Sequence, residues 1–408
     1  MNKQVSHIPS GYKPSPLGII PEDWEVKRLG EVGEVFSGGT PNTEIQEYWN
    51  GNIDWCTPTD ITLLNGAVYI ERTALKITDL GLKSSSAVLL PPNSIIVCTR
   101  ATIGNAAISL HQIATNQGFK NIVPNENIDT LFLYYTIVNN KIRLIRLGNG
   151  STFLEVSKSD FENLTIPVPP LPEQHRIVSV LSLWDTAIAK QTALIEKLTL
   201  RKRGLMQQLL TGKKRLKGFS GEWKEVRLGK LFDERNETNC DNLPLLSITG
   251  DKGVIYQSES DKRDISNEDK SKYKHICPND IGYNTMRMWQ GRSALSELEG
   301  IVSPAYTIVI PKDNIDVRFM AMLIQQPRIV YSFWTHSQGL VSDTLNCKYP
   351  DFCQVKVVIP SKEEQTAVAD FFVEIDKEIE TQKQKLVAMQ EQKRGLMQVL
   401  LTGKKRIK

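Results

Sequence analysis

EQHRIVSVLSLWDTAIAKQTALIEKLTLRKRGLMQQLLTGKKRLK, residues 173–217, returns 191 residues later as EQTAVADFFVEIDKEIETQKQKLVAMQEQKRGLMQVLLTGKKRIK, residues 364–408. The two stretches align without a gap and share nineteen of 45 positions, including the runs Lys202 to Gln207 and Leu209 to Arg215. An ungapped match of that length within one chain marks an internal duplication.

Each copy carries a seam. Ile177, Leu181, Trp184, Ile188, Gln191, Ile195, Leu198, Lys202, Leu205 and Leu209 follow one another at steps of four and three. Val368, Phe372, Ile375, Ile379, Gln382, Leu386, Met389, Lys393, Leu396 and Leu400 do the same in the second copy. This heptad spacing predicts two long helices whose apolar stripes need a partner helix. Polar residues break the stripe at Gln191 and Lys202 and again at Gln382 and Lys393, a device that fixes register at some cost in stability. The expectation is an antiparallel pair about a pseudo-twofold axis, with Gln191 meeting Gln382. Helix over 173–211 would run roughly 58 Å at 1.5 Å per residue, long enough to act as a spacer.

The duplication reaches beyond the helices. Trp24 with Arg28-Leu29-Gly30 recurs as Trp223 with Arg227-Leu228-Gly229, an offset of 199. In the middle the offset is 187, matching Arg100 to Arg287, Gly104 to Gly291 and Pro124 to Pro311; from Gly148 and Gly339 onward it is 191. Insertions therefore fall inside the two globular parts, where surface loops tolerate them, and none falls in the helices. The plan is α+β: a globular domain over 1–166, a long helix over 167–217, a second globular domain over 218–360 and a second long helix over 361–408.

Strands are expected at 94–98 and 305–310, and short amphipathic helices at 130–138 and 317–324. Gly38-Gly39-Thr40-Pro41, Gly148-Asn149-Gly150 and Ser337-Gln338-Gly339 read as loops. Pro167, Pro169, Pro170 and Pro172 stiffen the entry to the first long helix. Glu173 suits the first helical turn, and Gly212 and Gly403 suit a left-handed helix end.

With 408 residues, 40% hydrophobic and 24% charged, the composition is that of a globular protein with real cores. No run approaches the roughly 18 apolar residues of a membrane span, and the opening residues lack the layout of a signal peptide; a cytoplasmic location is expected. A net charge of +4 permits nucleic-acid binding without demanding it. The six cysteines form no CxxC pair and the five histidines show no metal spacing, so neither disulfides nor a metal site are expected. A P-loop is absent, as is the Asn/Asp-Pro-Pro-aromatic clamp of adenine and cytosine methyltransferases. The chain reads as non-catalytic.

Binding loops remain. Thr99, Arg100, Thr102, Gly104 and Asn105 follow one strand; Asn284, Arg287, Trp289, Gln290, Gly291 and Arg292 follow its counterpart. Arginine bonds guanine O6 and N7 together, and Asn or Gln reads adenine N6 and N7. Shared Arg and Gly amid differing neighbours suit one frame reading two half-sites; they equally suit a structural arginine paired to a carboxylate or carbonyl. Ser37, Gly38, Gly39 and Thr40, with Thr59, offer backbone and hydroxyl donors for phosphate, or plain turns. Trp184, Ile188, Gln191, Ile195, Ile375, Ile379, Gln382 and Leu386 belong to the helix–helix seam. Lys213-Lys214-Arg215 and Lys404-Lys405-Arg406 complement a helix C-terminus or contact phosphate.

The strings PLGIIPEDWEVKRLGE (16–31), SGGTPNTEIQEYW (37–49), WCTPTDI (55–61), TRATIG (99–104), NQGF (116–119), PLPEQ (170–174) and KRGLMQQLLTGKK (202–214), with GFSGEWKEVRLG (218–229) and KRGLMQVLLTGKK (393–405), resemble the specificity subunit of type I restriction-modification systems. The resemblance covers nearly the whole chain. It implies two target-recognition domains, each reading half of a bipartite asymmetric double-stranded DNA site. It also implies that the long helices dock two methylation subunits and that restriction subunits join them. S-adenosylmethionine, ATP and Mg would then sit on those partners and none on this chain. The second domain departs from the pattern, carrying DERNETN (233–239) and NTMRMWQG (284–291) in place of the GGTP and TRATIG strings. Three other readings are a coiled-coil scaffold that binds no nucleic acid, an orphan or phase-variable subunit of a modification-only complex, and a self-sufficient methyltransferase.

Overall fold

In the computed structural model, residues 8–149, 154–250, 252–260, 264, 266–339 and 345–407 are described; Gly150, within an expected loop, lies outside them. Two compact units divide the chain, 1–192 with 385–408 and 193–384. Each unit therefore holds one α+β lobe, one half of the first long helix (Leu171–Leu209) and one half of the second (Lys362–Leu400). Both helices are 39 residues long.

The first lobe is built on a five-stranded sheet in the order Gly33–Ser37, Phe119–Pro124, Ile95–Cys98, Ala106–Ser109 and Tyr69–Ile70. Ile95–Cys98 is buried at every position, as a run of β-branched residues between turns should be in the middle of a sheet. A three-stranded sheet, Ile113–Thr115, Trp49–Cys56 and Leu75–Ile77, lies in the same lobe. The second lobe keeps the central pattern with four antiparallel strands: Phe232–Arg235, Tyr306–Pro311, Ile281–Asn284 and Ser293–Leu295. Helices Thr130–Asn139 and Val317–Ile324 occupy the expected places, each started by an aspartate cap, Asp129 or Asp316.

A two-stranded ribbon closes each lobe in the same register. Arg28 faces Thr165 in the first, and Arg227 faces Lys356 in the second. The tryptophan–Arg-Leu-Gly string thus supplies one strand of the ribbon, and the residues before the long helix supply the other.

The helix seam is as the heptads require. Every position from Ile177 to Leu209 and from Val368 to Leu400 in the two series is buried or half-buried, Trp184, Ile188, Ile195, Ile375, Ile379, Gln382 and Leu386 among them. Gln191 is 6% exposed. Within the first unit the two helix halves run antiparallel, because Lys393 pairs with Asp185 while Arg406, further along, pairs with the earlier Glu173. Within the second, Lys202 Nζ lies 2.5 and 2.6 Å from the carboxylate oxygens of Asp376. These pairs are copies of one another: 185 + 191 is 376 and 202 + 191 is 393. In each, the two residue numbers sum to 578. The two glutamines belong to different units.

The helix ends explain the recurring strings. Gln174 accepts from the Asp129 amide at 2.8 Å and donates to the Pro169 carbonyl at 3.0 Å. Gln365 does the same with Asp316 and Pro360, at 3.1 and 3.0 Å. Gly212 and Gly403 take φ of 69° and 71°, the left-handed region where a side chain costs energy. The core of the first lobe runs from Trp24, Phe132 and Phe161 into Ile177, Leu181 and Leu400; that of the second runs from Phe232, Phe319 and Phe352 into Leu209, Val368 and Phe372. The lobes and their helix halves share one core each.

Candidate nucleic-acid interface

The loop after Ile95–Cys98 and the loop after Ile281–Asn284 are anchored alike and each turns at a left-handed glycine, although the second is one residue longer and holds a short helical turn, Met288–Gln290. Gly104 and Gly291 both adopt left-handed φ, 82° and 74°. The Val156 amide donates to the Thr99 carbonyl at 3.1 Å, and the Cys347 amide to the Thr285 carbonyl at 2.8 Å. Each loop is thus anchored at its root by the segment that precedes the closing ribbon.

Side-chain chemistry then diverges. In the first lobe Arg100 Nη2 lies 2.6 Å from Glu155 Oε2, and Lys120 Nζ lies 3.5 Å from Glu155 Oε1. Burial would raise the Glu155 carboxyl, but Arg100 and Lys120 outweigh it and hold it below the usual carboxylate range. Burial pushes the Lys120 ammonium down against the pull of Glu155. Lys141 Nζ donates to Asn105 Oδ1 at 2.7 Å. Arg100, Thr102, Asn105, Lys141 and Glu155 line an open cavity of about 1020 Å³. In the second lobe the residue at the Glu155 position (155 + 191) is Asn346, which offers no charge to an arginine. Arg287, Gln290 and Arg292 are exposed and make no side-chain hydrogen bond or ion pair among the described residues. Asn284 Oδ1 accepts from the Met286 amide at 3.0 Å, and Trp289 Nε1 donates to the Met286 carbonyl at 2.9 Å, so these two shape the loop.

The phosphate cradle expected at Ser37-Gly38-Gly39-Thr40 needs correcting. The Gly38 amide donates to the Phe119 carbonyl and the Gly39 amide to the Thr115 carbonyl, at 3.3 and 2.9 Å. A Cβ on Gly38 would stand 1.8 Å from the Asn116 carbonyl oxygen, and one on Gly39 2.3 Å from the Ala87 nitrogen. These glycines are there because two loops pass against the strand end, and their donors are already spent. Thr40 pairs with Gln117 through its hydroxyl. Thr99 is buried and bonds Gly118 from both its amide and its hydroxyl, so it too is structural. Thr59 is exposed in the first turn of helix Pro58–Leu63, whose start is capped by Thr57 and Asp60.

The sequence reading missed Lys120, Lys141 and Glu155. Lys120 and Asn121 stand inside the otherwise apolar strand FKNIVP, a signal legible in the sequence. Tyr331 and Trp334 were missed as well. They are exposed, with rings 5.5 Å apart, on the helix that packs against the Met288–Gln290 turn. Of the basic strings, only the arginines are engaged: Arg215 pairs with Glu364 and Arg406 with Glu173. Lys213, Lys214, Lys404 and Lys405 stay exposed.

Comparison with known proteins places these features. Residues 21–200 match the type I restriction modification DNA specificity domain. The specificity subunit of the type I restriction enzyme MjaIX of Methanocaldococcus jannaschii is 38% identical over 194 residues, 46% of this chain and 45% of that subunit. The match thus spans about half the length of that relative. The MjaVIII specificity subunit of the same organism is 25% identical over 95% of this chain and 94% of its own length. A solved chain described under complex assembly and conformational transition of the type I R-M system superposes with a TM-score of 0.59 at 18% identity. It covers 94% of this chain and 99% of that one, and the likeness is one of fold.

Proposed function

We infer, for a chain whose residues 21–200 are a type I restriction modification DNA specificity domain, that both lobes read DNA and that each takes one half of a bipartite, asymmetric site. The observation that carries this reading is the repeated loop site: Thr99 and Thr285 are anchored alike and Gly104 and Gly291 both turn left-handed, while loop length and side chains differ. One anchored loop position presenting two sets of side chains is the arrangement two unlike half-sites call for. Arg287, Gln290 and Arg292 are the readers of the second half-site. Arg100, Thr102 and Asn105 take the first, with Glu155 as the group that DNA must displace or leave in place to aim Arg100.

The long helices, equal in length and joined by mirrored ion pairs, set the spacing of the half-sites. They also offer a repeated surface to two methylation subunits, to which restriction subunits attach. This chain then contributes recognition and no catalysis. S-adenosylmethionine, ATP and Mg belong to the partners, and the assembly works in the cytoplasm, where its DNA is. No helix among the described residues is long and apolar enough to cross a membrane.

The test is a methylation-site map of a host expressing this chain with its methylation subunits, paired with duplex binding at several salt concentrations. Two separated half-motifs and a steep loss of affinity with salt are expected, since phosphate contacts release counterions. Salt-independent binding, or a single continuous motif, would sink the reading.

A further inference from the structure

Three electron-rich atoms converge at one edge of the second lobe. His275 Nε2 lies 3.1 Å from Glu299 Oε1 and 3.4 Å from Cys277 Sγ. The three donor atoms all lie within 4.8 Å of one another. His275 Nδ1 lies 2.6 Å from Glu237 Oε2. A neutral imidazole carries one N–H. With that proton on Nδ1 toward Glu237, the Nε2 lone pair faces a carboxylate oxygen and a sulfur. Such a grouping is stable only around a positive charge.

We propose that the second lobe binds a zinc-class divalent ion through His275 Nε2, Cys277 Sγ and Glu299 Oε1. Zinc takes nitrogen at about 2.0–2.1 Å, sulfur at about 2.3 Å and carboxylate oxygen at about 2.0–2.2 Å. Tetrahedral angles then space nitrogen from sulfur by about 3.5 Å and nitrogen from oxygen by about 3.3 Å. The observed 3.4 and 3.1 Å need only small shifts. Three protein ligands leave a fourth position for water. Glu237 fixes the tautomer and orientation of the histidine, as a carboxylate behind a metal-bound imidazole does. Arg235 holds that carboxylate at 3.0 Å and also Asp280 at 2.7 Å. Asp280 in turn accepts from the Cys277 amide at 2.8 Å, so the cysteine's backbone is fixed too.

The ion joins short elements. Strand Lys274–Ile276 and strand Gly300–Val302 have three residues each, and Glu299 directly precedes the latter. A metal bond adds a link that so short a ladder cannot supply. The first lobe carries nothing comparable. There Leu90 pairs with Ile113 where Ile276 pairs with Gly300, which sets Leu89, Pro91 and Gln112 at the positions of His275, Cys277 and Glu299. The sequence showed no metal spacing because the third donor comes 22 residues (299 − 277) after the cysteine.

The experiment uses the untagged full chain, stripped with a chelator and titrated with Zn²⁺ and Co²⁺. One equivalent bound per chain is expected, with a thiolate-to-cobalt absorption band in the near ultraviolet. Cys277→Ser should abolish that band, His275→Gln should remove stoichiometric binding, and Glu237→Gln should weaken it about ten- to hundredfold. Zinc should raise the unfolding temperature of the natural chain and not that of His275→Gln. No stoichiometric binding, a cobalt spectrum lacking the sulfur band, or equal affinity in His275→Gln and Cys277→Ser would show that a proton alone holds the cluster. Circular dichroism of the metal-free forms checks folding; should His275→Gln misfold, Glu299→Gln and Glu237→Gln decide by the same readouts.

Discussion

Arg406 donates two hydrogen bonds, of 3.1 and 2.6 Å, to the carboxylate of Glu173, a residue 233 positions earlier that is 2% exposed. The same bond recurs as Arg215 to Glu364, at 2.6 and 2.5 Å. Glutamate and arginine come from the two recurring strings, and each pair joins the start of one copy's helix to the end of the other's. Each lobe is thus closed by the end of a helix that begins in the other copy, so neither half of the duplication is complete by itself.

The two pairs are not equal. Glu173 also accepts from Trp24 Nε1 at 3.0 Å, whereas among the described residues Trp223 Nε1 is buried without a partner and the Glu364 side chain has only Arg215. Arg406→Met leaves Glu173 one donor; Arg215→Met leaves Glu364 none. A buried carboxylate without a partner is costly, while replacing both partners by apolar groups is nearly neutral. Thermal unfolding should therefore show a larger drop for Arg215→Met than for Arg406→Met, and the Arg215→Met/Glu364→Met double variant should recover most of it. Arg406→Met also releases the exposed Asp23, which lies 2.7 Å from Arg406, so equal drops would mean that the Trp24 bond does not outweigh that loss.

Arg287 and Arg100 should also behave differently. Among the described residues Arg287 makes no side-chain hydrogen bond or ion pair, whereas Arg100 is tied to Glu155. Arg287→Ala should cost about 1–3 kcal/mol of discrimination, or roughly five- to 150-fold in affinity, at one base pair of the site. Arg100→Ala should lower the stability of its lobe as well as base preference at the first half-site, because it also releases Glu155. Fluorescence anisotropy with the methylation subunits and a set of single-base variants measures both. A uniform loss across all duplexes for Arg287→Ala would assign it to phosphate instead.

The helices were legible because a seam of period 3.5 is a local pattern that nothing nearby competes with. Their start was expected at Glu173 and lies at Leu171, since proline is tolerated in the first turn and Pro172 does not end the helix. What the seam could not reveal was the partner of its own polar residues. Lys202 and Lys393 were read as interruptions, yet each answers an aspartate on the opposite helix, a pairing fixed by tertiary register alone. The binding loops show the same limit. Strand, turn and left-handed glycine were readable; that the Gly38 and Gly39 amides are spent on Phe119 and Thr115, and that Glu155 holds Arg100, depends on residues 55 to 81 positions away (155 − 100, 119 − 38).

Glu155 makes the first lobe acid-sensitive. Its folded pKa is below the ordinary 4.5, so its contribution is fully present above that value and is lost as pH falls through the lowered one. Urea unfolding between about pH 5 and 3 should show a steeper loss of stability for the natural chain than for Glu155→Gln, which has already lost the contribution at neutral pH. Parallel slopes would place the acid sensitivity elsewhere.

Helix length should set the gap between half-sites. The long helices are both 39 residues and their ion pairs obey one register, so a change confined to one copy would move Asp185 away from Lys393 or Lys202 away from Asp376. Four residues added to both helices at positions 191 apart keep the pairs matched and lengthen each by about 6 Å. Against about 3.4 Å per base pair, the unread gap should widen by about one to two base pairs, with both half-motifs unchanged. The same insertion in one helix alone should abolish methylation, because one of the mirrored ion pairs is then out of register. A methylation-site map of the three strains decides it: a gap that stays constant when both helices grow means that something other than the helices measures the site.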